Sequence, residues 1–366
     1  MNILEEEITK HKKEIRSDAY PMSIGEAVSM YQNGELEIHP EFQRVFRWND
    51  EKKSKFIESI LLGIPIPSFF VSQRDDGVWD LVDGLQRFST ILSFMGELKD
   101  ENDKREPPLE LLAGDYLKSL AGVKWNDEKK FTKPMKLAFR REKIDFKIIK
   151  KESTPDTKYE LFKRINTGGA PLTDQEVRNC ILLMINRDFY VTLEELSRYE
   201  YFINSISISD DKLLEKYHME LVVRFMVYYT YIKGKKNNIK IPDLTTFLDD
   251  KICELAKSKS NITDLSNAFK ETFKLIYQVM GGDAFRKYYI KEKKHKGGFS
   301  IALFEALSVG IAKNKDSFPS NDKLREAIEE FSENTNFLQA SGAGVRASTR
   351  ILQTIPCAIK YFHEYQ

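Results

Sequence analysis

The sequence predicts an α+β protein: a small sheet with helices in the N-terminal part, then helices alone to the C-terminus. Three observations carry this. Two β-runs, 68–72 and 78–82, flank a turn holding Asp76-Gly77, which is a hairpin pattern. Directly after them Leu85, Phe88, Leu92 and Met95 recur at helical spacing. From about residue 174 onward the apolar patterns are nearly all helical.

The elements follow in order. Residues 1–19 are charged and read as a loose arm. Ser23 and Glu26 form a capping box that opens a short helix to Asn33, and Leu36-Glu37-Ile38 reads as a brief strand. A helix with Phe56, Ile57, Ile60 and Leu61 inward stops at Gly63, with Pro65 just beyond. The hairpin and the helix ending at Gly96 come next. Residues 97–128, with Pro107-Pro108 and Gly114, read as an insertion with short helices, and Phe146–Ile149 as a strand returning to the sheet. Thr154-Pro155 and the Leu172, Thr173, Glu176, Val177 set each mark a helix start. Residues 221–229 are apolar on several faces, as in a central buried helix. Further helices are expected at 265–280, 301–312, 323–331 and 350–365. The expected layout is an arm (1–19), an α/β module (20–170) and a helical domain (171–366).

Composition narrows the function classes. A length of 366 residues suits two substructures, and 41% hydrophobic content with 24 Phe supplies well-packed cores. A net charge of +1 gives no global nucleic-acid signal, so any basic surface must be local. Cys180, Cys253 and Cys357 are far apart and odd in number, which argues against a disulfide framework and for a reducing, cytoplasmic setting. The N-terminus has no apolar signal core, and no run approaches the ~20 apolar residues of a membrane span. The five histidines are scattered without HExxH or zinc spacing, so no metal-ligand set is expected. No G-x-x-x-x-G-K-[ST] occurs, so a nucleotide site is not a P-loop.

The richest motif is Val82-Asp83-Gly84-Leu85-Gln86-Arg87, where a strand hands over to a helix. Asp83 and Gln86 have capping-box spacing, which explains both as structure but gives no reason for Arg87. The alternative is an anion site, because a helix start offers N–H groups and the positive dipole end. Arg87 falls off the apolar face, so its loss is expected to spare the fold. Arg44 and Arg47 flank an aromatic-rich turn; their forks suit phosphate, or their stems simply cover the rings. Lys163 and Asn166 approach a helix end at Gly168-Gly169, where a lysine is also favoured by the dipole alone. Residues 129–151 carry ten Lys/Arg, among them Lys136, Arg140, Arg141 and Lys143, against Glu142 and Asp145. With Phe131, Phe139 and Phe146 interleaved, this block reads equally as a nucleic-acid contact or a solvated surface. A second basic patch, 286–296, is weaker. The glycine loop 341–348 near Arg350 reads as an ordinary interhelix loop more readily than as an anion nest.

The ordered segments "PEFQR…RW", "FIESILLGIPIP", "VDGLQR" and "LFKRINTGGAPLTDQEVRN" resemble the N-terminal module of GmrSD-type modification-dependent restriction systems, of the ParB/sulfiredoxin-like superfamily. The resemblance spans about residues 20–185. The family's motif usually reads Asp-Gly-Gln-Gln-Arg; this chain carries Leu85 at the third place and keeps Asp83, Gln86 and Arg87. The resemblance implies binding and hydrolysis of a nucleoside triphosphate, with Mg²⁺ as a candidate companion, controlling action on DNA in bacterial anti-phage defence. It implies Asp83, Gln86 and Arg87 as catalytic residues, and Arg44, Arg47, Gly84, Lys163 and Asn166 as nucleotide contacts. A DNA-nicking endonuclease using the same pocket, or a non-catalytic DNA-binding sensor subunit, remains open. The chain holds no His-Asn-His nuclease module, so a separate nuclease or defence-system subunit is the expected partner, beside DNA itself.

Overall fold

The computed structural model describes residues 4, 17–38, 48–100, 103–150, 174–209, 212–213, 216–233, 240–258, 262–315, 318 and 320–365. The chain divides into two compact units, Met1–Pro171 and Leu172–Gln366. Together they form a mixed α+β fold, a five-stranded sheet with helices followed by a mainly helical region.

In the first unit the strands are β1 (Ser17–Ser23), β2 (Leu36–Glu37), β3 (Phe69–Gln73), β4 (Trp79–Asp83) and β5 (Lys143–Ile149). Their spatial order is β1-β5-β3-β4-β2. β1 begins at Ser17, inside the charged stretch expected to be an arm, because its whole length pairs antiparallel with β5, from Ser17↔Ile149 to Ser23↔Lys143. Pro21 is tolerated there because β1 lies on the sheet edge. β5 runs parallel to β3 and buries Ile144, Phe146 and Ile148 on alternate positions. The expected hairpin is β3–β4, and Arg74 in its turn bonds Asp80 and, from β2, Glu37.

Helices α1 (Ile24–Gln32), α2 (Asp50–Leu61), α3 (Leu85–Met95) and α4 (Lys133–Arg141) complete the unit. Ser23 caps α1 as its spacing predicts, the hydroxyl accepting from Glu26 N at 3.1 Å, while the Glu26 carboxylate accepts from the Tyr20 hydroxyl. Phe69 stacks on Phe146 with centroids 5.2 Å apart, and Phe88 of α3 meets Phe69 edge-on at 5.9 Å. This triad locks the helix after the motif onto β3 and β5. The insertion, whose one helical turn among the described residues is the 3₁₀ segment Lys118–Leu120, is pinned by Glu58 of α2. Its buried carboxylate accepts from the N–H groups of Asp115, Tyr116 and Leu117. Burial alone would raise the Glu58 carboxyl; the three donors outweigh it and hold it below the usual carboxylate range.

The second unit contains α5 (Asp174–Ile185), α6 (Arg187–Ser197), α7 (Glu200–Ser205), α8 (Tyr217–Tyr231), α9 (Leu244–Lys257), α10 (Ile262–Met280), α11 (Ile301–Asn314), α12 (Asn321–Phe331), α13 (Thr335–Ser341) and α14 (Ala347–Glu364). α8 buries Leu221, Val222, Val223, Phe225, Met226, Val227 and Tyr228, as its all-round apolar pattern predicts. One short hairpin, β6 (Lys287–Tyr289) with β7 (Lys294–Lys296), interrupts the helices where the sequence shows only a basic patch. Inside the unit, Glu305 of α11 is fully buried between two arginines. Its Oε1 accepts from Arg224 at 2.7 Å and its Oε2 from Arg350 at 2.8 Å. Arg350 is therefore bound to Glu305, and residues 342–346 connect α13 to α14. Among the described residues no helix is long and apolar enough to cross a membrane.

Candidate functional site

The strand-to-helix turn differs from the capping box that its spacing suggests. β4 continues through Asp83, and the N-cap of α3 is Gly84, at φ 98° and ψ 12°, with no side chain capping the helix. Asp83 cannot cap because its carboxylate faces the guanidinium of Arg87, Oδ2 to Nη2 at 2.9 Å. Gln86 does not reach back to Asp83 either. Its Oε1 accepts from the N–H of Trp48 at 3.2 Å, tying the motif to the chain just before α2.

Gly84 is required twice over. Its φ lies in the left-handed region, and a Cβ there would stand 2.5 Å from Cδ1 of Phe69. Gly84→Ala is expected to cost about 2–4 kcal/mol, from backbone strain plus displacement of a core ring. Urea unfolding of the variant checks this, and a loss below about 1 kcal/mol would contradict the close contact.

Arg87 is where the structure most changes the sequence reading. Its side chain is 12% exposed, and Nη1 donates to the carbonyls of Pro67 and, at 3.3 Å, Ser68. The guanidinium also lies 4.9 Å from the Phe69 ring centroid. Burial pulls it below the ordinary arginine range, and Asp83 opposes that shift. Arg87 thus staples α3 to the start of β3, and the expectation that its loss spares the fold is corrected. Leu85 packs against the core, so the residue that departs from the family pattern sits on the apolar side of α3.

Asp83, Gly84, Gln86 and Arg87 are therefore brought together with Trp48, Pro67, Ser68 and Phe69. Sequence reasoning missed the last three; the one signal was Pro67-Ser68 standing directly before an apolar strand. Arg44, Arg47, Lys163 and Asn166 lie outside the described residues, as do Thr154, Pro155, Leu172 and Thr173. A solvent-open cleft of about 410 Å³, with Tyr20, Glu26, Glu35 and Trp79 in its lining, does not include the motif residues.

Of the basic block, Lys133, Lys136, Arg140 and Arg141 lie on α4 and Lys143 and Lys147 on β5. Arg140, Arg141 and Lys143 are exposed, and among the described residues no ion pair engages them. Lys136 is half-buried, with Nζ 3.6 Å from Glu128 and 6.0 Å from the Trp125 ring centroid. Phe131, Phe139 and Phe146 are buried in the core, so this surface offers charge without rings for base stacking.

A comparison with curated proteins gives no match. Residues 24–183, which hold α1 to β5 and the Gly84 turn, match the family described as GmrSD restriction endonuclease, N-terminal domain. The N-terminal part of this chain is thus similar to the N-terminal domain of GmrSD restriction endonucleases.

Proposed function

We propose that the first unit binds a nucleoside triphosphate at the Gly84 turn and hydrolyses it to control action on DNA in restriction-type bacterial defence. The observation that carries this is a helix start without a side-chain cap, set at the end of a sheet strand with a carboxylate beside it. Such a start presents backbone N–H groups and the positive dipole end to a phosphate. The match of residues 24–183 to that restriction-endonuclease domain supports the action on DNA. Asp83, 30% exposed and oriented by Arg87, acts as base or holds Mg²⁺ through water. One carboxylate suits a magnesium that arrives with the nucleotide, which supplies charge neutralisation on the phosphates. Among the described residues no cluster of three or more acidic, His or Cys side chains stands ready to hold a metal by itself. Gln86 holds the approach to α2, while Arg44, Arg47, Lys163 and Asn166 are the candidates for nucleotide contacts.

Calorimetric titration with the four ribonucleoside triphosphates, alongside phosphate release, tests the reading. Asp83→Asn is expected to keep binding, abolish turnover and cost about 1 kcal/mol, because the pair with Arg87 is partly solvent-screened. Normal turnover in that variant would reduce Asp83 to a partner for Arg87. A second reading has its own support: Arg87 is engaged by Asp83, Pro67 and Ser68, which favours a sensor that binds nucleotide without cleaving it. Tight binding without phosphate release would establish the sensor.

For DNA, the exposed charges on α4 and β5 are the proposed contact. Replacing Lys136, Arg140, Arg141 and Lys143 with Ala is expected to flatten the salt dependence of duplex binding by up to about 3–4 in log–log slope and to leave nucleotide binding near normal. Fluorescence anisotropy across a salt series reads this directly. An unchanged slope would return the block to a solvated surface.

A further inference from the structure

The β6–β7 hairpin lies outside the residues that match the family and has no part in the Gly84 site. Residues 286–296 carry Arg286, Lys287, Lys291, Lys293, Lys294 and Lys296 against a single acid, Glu292. The register sets Lys287 directly opposite Lys296, a like-charge pair that destabilises an isolated ribbon. Both ammonium groups also crowd one ring, at 5.0 and 5.3 Å from the Tyr289 centroid. Glu292 answers Lys294 at 3.3 Å and Lys296. Among the described residues no carboxylate pairs with Lys287, Lys291 or Lys293.

The ribbon is nevertheless held firmly. Phe285, at its base, is buried against Phe304 with centroids 5.1 Å apart, and its carbonyl accepts from Ser300 N at 2.8 Å. Arg286 Nε donates to the Gly297 carbonyl at 2.8 Å, closing the base between the strands. On one side Ile290 N donates to Glu333 beyond α12, at 3.3 Å. Residues 290–294 at the turn are all exposed. A fixed base therefore carries a like-charged pair, Lys287 and Lys296, below an exposed turn with Lys291 and Lys293, and a row of phosphates is a partner of matching charge. A two-stranded ribbon also has the width to enter a major groove.

We propose that the β6–β7 ribbon is a second DNA contact, laying Lys287, Lys291 and Lys293 along the phosphates of a duplex. The proposal rests on the reading that this chain acts on DNA and is independent of nucleotide binding. It is tested on the full chain by fluorescence anisotropy with a duplex of about 25 base pairs between 50 and 300 mM salt. The variant K287Q/K291Q/K293Q is measured beside the α4–β5 quadruple variant. The ribbon variant is expected to bind at least tenfold more weakly at 100 mM salt, with a log–log slope smaller by about 2–3. Its melting temperature should stay the same or rise, since the Lys287–Lys296 repulsion is gone. Should K287Q disturb the strand, K291Q/K293Q confines the change to the turn, and a slope smaller by about 2 is then expected. An unchanged slope in the ribbon variants while the α4–β5 variant loses its own would overturn this contact and leave the DNA reading standing. Salt-independent or absent binding by the unmodified protein would overturn both.

Discussion

Glu305→Ala is expected to destabilise the second unit by about 3–5 kcal/mol. The carboxylate is fully buried and answers Arg224 of α8 and Arg350 of α14 at once, with the Tyr228 hydroxyl 3.5 Å away. Truncation leaves two largely buried guanidinium groups without their shared partner, and among the described residues only Arg224 keeps a second acid, Glu220 at 2.6 Å. The cost comes from abandoned charge rather than from lost attraction. Converting all three residues together, as R224M/E305L/R350M, is therefore expected to recover most of the stability. Guanidinium unfolding followed by hydrogen exchange in α8 and α11 measures both variants. A triple variant as unstable as the single one would show that geometry, and not uncompensated charge, sets the cost.

Arg87→Ala is expected to cost about 2–4 kcal/mol and to weaken nucleotide binding as a consequence. The change removes donors to Pro67 and Ser68, the pair with Asp83 and the face contact with Phe69. Arg87→Lys separates the roles, because an ammonium keeps the charge but cannot span two carbonyls and a carboxylate with one planar fork. If Arg87→Ala melted with the unmodified protein yet lost nucleotide, the guanidinium would belong to the ligand and not to the turn.

The contrast between two capping boxes explains what the sequence could reveal. Ser23-x-x-Glu26 and Asp83-x-x-Gln86 have the same spacing, and only in the first does the leading side chain cap its helix. At Ser23 the hydroxyl takes the Glu26 N–H, even though the Glu26 carboxylate accepts from Tyr20. At Asp83 a guanidinium four residues later takes the carboxylate, and Gln86 is drawn to Trp48, 38 positions earlier. Local spacing cannot weigh such distant competitors. Periodic apolar patterns fared better because they report burial directly: the β3–β4 hairpin, α8 and the helices near the C-terminus lie where those patterns put them. β1 escaped notice since its charged, proline-bearing edge hides a seven-residue ladder to a strand more than a hundred positions away. The same remoteness concealed Glu305, whose partners lie 81 and 45 residues off. Of the motif, its location and the grouping of Asp83, Gln86 and Arg87 were legible, but the division of labour among them was not.

The strand order also sets a timetable for synthesis. β5 is the middleman of the sheet, joining the earliest strand to the hairpin, and it leaves the ribosome last among the five. At translation speeds of about 5–20 residues per second, β1 waits on the order of ten seconds for its only neighbour. During that interval Phe69 and Phe88 lack the Phe146 ring that completes their cluster, and the Gly84 turn has no finished wall behind it. A nascent chain halted before Lys143 would thus carry the whole motif in sequence and be unable to assemble it. Any activity at that turn is withheld until the first unit has been synthesised nearly to its end.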